Sequence, residues 1–176
     1  MTVYVALLRA IGPLSHAKMR PAALRDKAEA AGFIDPVNYV ATGNLIFGSG
    51  KGAATVKREI TALVESFDLT TSEVFIATRS EIEKIVAADP FPAATKDHPA
   101  QVGVCLFHKA LDWPVALLKP QGPEKVAGVG RAIVIDYGAA AATVPSKLNV
   151  EKLTGARMTQ RNWNTILGVW ERMKGR

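Results

Sequence analysis

Apolar residues fill both alternating faces of 2–8: Val3, Val5 and Leu7 on one side, Tyr4, Ala6 and Leu8 on the other. That is the pattern of a central strand covered on two faces. Arg9 ends it, and Gly12-Pro13 breaks the stretch 10–18 into a loop. Pro21 suits a first helical turn, Leu24, Ala28 and Ala31 keep helical spacing, and Gly32 suits the stop. Val37, Tyr39 and Ala41 alternate with Asn38 and Val40, so 36–41 is predicted as a strand. It pairs with 45–47 through Thr42-Gly43-Asn44, a hairpin turn in which Gly43 takes positive φ. Val56, Ile60, Leu63, Val64 and Phe67 form one helical face, and 72–77 reads as a further strand. The order is β-α-β-β-α-β, that of a ferredoxin-like unit.

Ser80 and Glu83 form a capping-box pattern ahead of Ile82, Ile85 and Val86. Pro90, Pro92 and Pro99 then fall in a stretch without periodicity, so 89–100 is expected as a linker. Beyond it the order restarts. A strand is predicted over 101–108 and a short helix over 113–118 behind Asp112. A hairpin follows, 124–127 with 131–137, around Gly128-Val129-Gly130. An Ala-rich loop spans 138–145. Ser146 is expected to cap a helix that Gly155 closes, and 156–160 to form a last strand. Asn162 caps a final helix with Trp163, Ile166, Leu167, Trp170 and Met173 at helical spacing. The expected fold class is α+β: two ferredoxin-like (βαββαβ-type) subdomains in one compact chain, plus a C-terminal helix. Its division is 1–88, linker 89–100, and 101–176. The duplication rests on element order, since no residue-level repeat joins the halves.

Charge changes this picture in one respect. The net charge is +6, and residues 91–176 supply all of it, with twelve Lys/Arg against six Asp/Glu. Residues 1–90 balance at ten and ten. A basic half favours anionic partners, although a solvated basic surface is the simpler reading. No apolar run approaches the about 20 residues of a membrane helix, and the first residues lack a basic leader, so a cytoplasmic protein with no membrane partner is expected. Cys105 is the only cysteine and lies in an apolar run, so it reads as a buried small hydrophobe.

Several strings recur together: Tyr4-Val5-Ala6-Leu7-Leu8-Arg9-Ala10-Ile11, Lys18-Met19, Gly32-Phe33, Tyr39 with Thr42-Gly43-Asn44, Ser146-Lys147-Leu148, and Arg161-Asn162-Trp163-Asn164-Thr165. On these the chain resembles the bacterial family known as domain of unknown function 1697, in order and over nearly its whole length. The resemblance implies two similar α+β subdomains and no particular activity. One segment departs from the family pattern. Where relatives carry an Ile-Asn-Val-Gly-Gly type loop, this chain has Ile11-Gly12-Pro13-Leu14-Ser15-His16. Pro13 removes one backbone donor and stiffens a loop that would otherwise suit a phosphate.

Arg9, Lys18, Asn44, Lys147, Arg161 and Asn164 are the candidate ligand-binding residues. Arg9 leaves a buried strand, with an ion pair to Asp35 or Glu73 as the plain alternative. Lys147 suits a phosphate contact better than a general base, because adjacent Ser146 and Lys147 do not face each other. Arg161 and Asn164 flank a helix start, where free N–H groups attract anions, although a cap and a Trp163 anchor explain that string more simply. His16, His98 and His108 stand alone, so no metal is expected, and no cofactor fingerprint is present: Gly128-Val129-Gly130 lies between strands, and Gly50-Lys51 lacks Walker spacing. No catalytic residue is identified. The leading expectation is a binder of phosphate-bearing ligands, nucleotide or nucleic acid. The alternatives are a small-molecule enzyme with a pocket between the subdomains, and an interaction module that forms a homodimer through a sheet edge.

Overall fold

In the computed structural model, residues 1–9, 18–40, 43–69, 73–111, 122–144 and 146–176 are described. The chain divides into two units, Met1–Ile82 with Gly168–Arg176, and Glu83–Leu167. The first break falls at Ile82/Glu83, ahead of the expected linker 89–100, and the second falls within the last helix, at Leu167/Gly168.

The first unit is built on β1 (Thr2–Arg9), α1 (Pro21–Ala30), β2 (Ile34–Asn38), β3 (Asn44–Ser49), α2 (Ala53–Glu65) and β4 (Glu73–Thr78). Its sheet has the order β2-β3-β1-β4, antiparallel throughout. Each βαβ step therefore skips one strand, as the ferredoxin-like order requires. The two-faced apolar pattern of β1 is explained at once: six successive residues, Val3 to Leu8, are buried. Tyr4, Ala6 and Leu8 face a core with Leu45, Phe47, Leu24, Val56 and Ile60. Burying one such large side chain stabilises by roughly 1.5–3 kcal/mol. Phe33 meets Phe47 edge-on, with centroids 4.7 Å apart. The Tyr4 hydroxyl, the one polar tip here, donates to the Lys51 carbonyl at 2.9 Å.

Strand β2 begins and ends earlier than 36–41. Asp35 takes φ 46°, and the register shifts between Ile34 and Val37. Pro36 cannot donate to a ladder, so a bulge forms there on an edge strand. Val40 at φ 58° then ends the extended run. Gly43 has the expected positive φ, 79°. The loop 10–17 and Ala41-Thr42 lie outside the described residues.

Helix α3 (Arg79–Ala88) is capped two residues earlier than the Ser80/Glu83 pattern predicts. Glu81 accepts from the Thr78 backbone N–H at 2.8 Å, and the Thr78 hydroxyl accepts from the Glu81 N–H at 3.3 Å. This reciprocal pair wins because β4 runs to Thr78 and leaves it as the first residue free to cap. The proline-rich stretch is not structureless: it holds α4 (Pro92–Asp97) and a 3₁₀ turn, Pro99–Gln101.

The second unit carries β5 (Val102–Phe107), β6 (Lys125–Val129), β7 (Ala132–Asp136), α5 (Val150–Thr154) and β8 (Met158–Asn162), and α6 (Trp163–Met173) begins in it. Its sheet order, β6-β7-β5-β8, repeats that of the first, again antiparallel. Cys105, Phe107, Ile133, Ile135 and Val150 form its core. The helix expected over 113–118 lies outside the described residues. The β6–β7 turn is tighter than expected, two residues with Gly130 at φ 58°. Ser146 does not cap α5. Asn149 does, accepting from Lys152 N–H at 2.9 Å, and Gly155 closes the helix at φ 64°. Asn162 caps α6 as expected, accepting from both the backbone N–H and the hydroxyl of Thr165 at 2.9 Å. His98 does not stand alone: its Nε2 lies 2.9 Å from Asp136 Oδ1, which also accepts from Gly138 N–H at 2.8 Å. No described helix is long and apolar enough to cross a membrane.

Candidate functional site

In the first unit the candidate residues are engaged locally. Arg9, at the end of β1, lies 3.9 Å from Glu73 across the β1–β4 ladder, one of the two carboxylates expected for it. Lys18 Nζ donates to the Asp68 carbonyl at 3.3 Å. Asn44 is fully buried. Its Nδ2 donates to the Tyr39 carbonyl at 2.8 Å, and its own carbonyl accepts from Tyr39 N–H at 2.9 Å. Asn44 thus cross-links its hairpin, and its buried side chain offers no surface to a ligand.

In the second unit the three candidates lie on different elements. Arg161 lies on β8, where Nη1 donates to Thr159 Oγ1 at 3.0 Å and to the Gln160 carbonyl at 2.8 Å. Burial pulls its guanidinium down to about 10, still charged at neutral pH. Asn164 is exposed in the first turn of α6. Lys147 borders a cavity.

That cavity is a cleft of about 580 Å³, and its described lining residues belong to the second unit. It forms because two irregular segments face each other. The 3₁₀ turn Ala139–Ala142 lines it with small side chains, and the irregular run 146–149 lines it up to the start of α5. Pro123, Ala140, Ala141 and Leu148 make the wall apolar, and Val144 and Leu153 are exposed large hydrophobics on it. Lys147 and Lys152 also line it, both exposed and neither in an ion pair among the described residues. Glu124 brings a carboxylate, and the Ser146 hydroxyl donates to its Oε1 while accepting from Leu148 N–H at 3.0 Å. Ser146 is therefore occupied in holding the cleft wall.

Tyr137 forms another side of the cleft. Its hydroxyl donates to Gln160 Oε1 at 2.8 Å, and Cys105 Sγ donates to the same oxygen at 3.3 Å. Burial, with Cys105 and Glu124 nearby, pushes the Tyr137 phenol well above its usual range, against the opposing pull of the Gln160 bond. Burial, with Glu151 adding repulsion, pushes the Cys105 thiol up to about 12. A thiol held neutral in this way is not a nucleophile at neutral pH. Gly103 makes the arrangement possible: a Cβ there would lie 2.8 Å from both Gln160 Nε2 and Tyr137 Cε2. Among the described residues no cluster of His, Cys, Asp and Glu is placed to hold a metal ion.

Of these residues the sequence reading singled out Lys147. Lys152 sits five positions on in the same basic stretch and was legible as charge only. Glu124 carried no local signal, because its partner Ser146 is 22 positions away.

A conserved bacterial protein from Streptococcus pneumoniae has the same fold, with a TM-score of 0.73 and 18% identity over 99% of each chain. No curated protein matches the sequence. Residues 1–133 match the family of proteins of unknown function DUF1697; the strings from Tyr4 to Asn44 fall within the match, and those at Ser146 and Arg161 lie beyond it. The chain belongs to that family.

Proposed function

We propose that this protein binds a small anionic molecule, phosphate- or carboxylate-bearing, in the cleft of its second unit. The observation that carries this is the pairing of Lys147 and Lys152 with an apolar concavity of about 580 Å³. That volume falls within the range usual for small-molecule sites, about 300–1,000 Å³. A ligand with an anionic end and an apolar or planar body matches both features, and a nucleoside monophosphate is one such molecule. The concave shape favours a small ligand over a nucleic-acid strand, which would need a longer basic track with stacking aromatics.

Calorimetric titration of the full chain with AMP, phenyl phosphate and a single-stranded oligonucleotide tests this at low and moderate salt. The expected result is saturable binding of the two small phosphates, weakened about tenfold in Lys147→Ala/Lys152→Ala. Oligonucleotide binding with a steep salt slope, and none by the small phosphates, would move the function to nucleic acid. Absence of all binding rejects the proposal.

A further inference from the structure

Glu124 reaches the cleft with a carboxylate that is half used. Ser146 donates to Oε1, and Oε2 is buried with no hydrogen-bond partner among the described residues. A carboxylate offers about four acceptor sites on its two oxygens. Buried polar atoms in native proteins are nearly always paired, and the exceptions mark a missing partner or a functional group. The surroundings are shaped to admit this one. A Cβ on Gly122 would lie 2.5 Å from Oε2, so glycine leaves the room the carboxylate takes. The same cleft is lined by Lys147 and Lys152, so a half-paired carboxylate and two basic side chains share one lining.

We infer that the ligand of this cleft is an anion that also bears an N–H or O–H donor. The donor pairs with Glu124, and the phosphate or carboxylate is held by Lys147 and Lys152. This rests on the cleft reading above and adds a second recognition group to it. Glutamate's terminal torsion is broad, so a partial turn of the carboxyl plane brings an oxygen toward the ligand without backbone movement. Specificity follows from the sign of the charge. An anion without a donor leaves the carboxylate unpaired and brings negative charge close to it, whereas an amino-bearing anion satisfies both poles.

The test uses matched pairs that differ in one amino group: 4-aminobenzoate against benzoate, and 4-aminophenyl phosphate against phenyl phosphate. Each is titrated calorimetrically into the full chain and into Glu124→Gln. This isosteric change keeps an acceptor for Ser146 and sets an NH₂ in place of Oε2, and circular dichroism checks that it folds. In the wild-type chain the amino member of each pair binds about tenfold tighter. In Glu124→Gln that preference vanishes or inverts, because two donors then face each other. Equal affinities within the pairs overturn the donor inference and leave the cleft reading standing. A preference retained in Glu124→Gln overturns the role of Glu124. Failure of all four molecules to bind overturns both readings.

Discussion

Replacing Gly168 by alanine adds one methyl group where the first unit has no room for it. Gly168 lies inside α6, and a Cβ there would stand 2.0 Å from the Tyr39 hydroxyl, 2.2 Å from its Cζ and 2.5 Å from Cε1. The ring is not free to drift aside. Arg172 lies over its face at 3.9 Å from the centroid, and its guanidinium also donates to the Gly168 carbonyl at 2.9 Å. The Tyr39 backbone is held from both sides by Asn44. Relief requires the ring to swing out of its contact with α6. Overpacking of this kind costs about 1–3 kcal/mol, and loss of the cation–π contact adds about 0.5–1 kcal/mol. Against this, alanine is better than glycine in a helix interior by about 1 kcal/mol. The clash wins, with a net loss of about 0.5–3 kcal/mol. Urea denaturation followed by far-UV circular dichroism measures it. The decisive comparison is the background. With Tyr39→Ala already present the obstacle is gone, and Gly168→Ala is expected to stabilise by about 1 kcal/mol. A neutral single variant, or the same loss in both backgrounds, would refute the reasoning.

Two further predictions concern the cap and the buried thiol. Thr78→Ala removes the hydroxyl that caps α3 and is expected to cost about 1 kcal/mol, whereas Ser80→Ala stays within about 0.5 kcal/mol; equal effects in urea melts would contradict the observed capping box. The Cys105 thiol is raised in the folded chain from 9.0 to about 12, chiefly by burial. Its neutral form is favoured by folding, so its contribution is complete below pH 9 and is lost as pH rises toward about 12. The loss is on the order of 4 kcal/mol. Tyr137 acts in the same direction, so Cys105→Ala should flatten part of the alkaline decline in denaturation midpoints; a midpoint independent of pH up to about 11 would exclude the effect.

Strand β1 was legible in the sequence because its burial on both faces is a property of eight consecutive residues, and helix α2 because one apolar face repeats within thirteen. Asn162, Gly32, Gly43 and Gly155 were legible for the same reason: a cap or a left-handed turn is decided by a few neighbouring backbone groups. The family strings near Tyr4 and Asn44 turn out to be fold-bearing, the first in the central strand and the second in the hairpin cross-link.

Elements whose ends compete with neighbours were less legible. Ser80/Glu83 and Ser146 both satisfy local capping rules, but the end of β4 hands the cap to Thr78, and the turn at Ser146 hands it to Asn149. The cleft was least legible of all. It needs Glu124 beside Ser146, Tyr137 beside Gln160, and the empty Cβ position of Gly103 to admit them. The sequence by itself determined the order of strands and helices, the two-sheet duplication, the buried thiol and the basic bias of residues 91–176, since each depends on local periodicity or on summed composition. Which basic side chains border a cavity and which carboxylate is left half paired emerge only once the chain is folded. Those are properties of side chains brought together by strand pairing and loop closure, across separations that no periodicity spans.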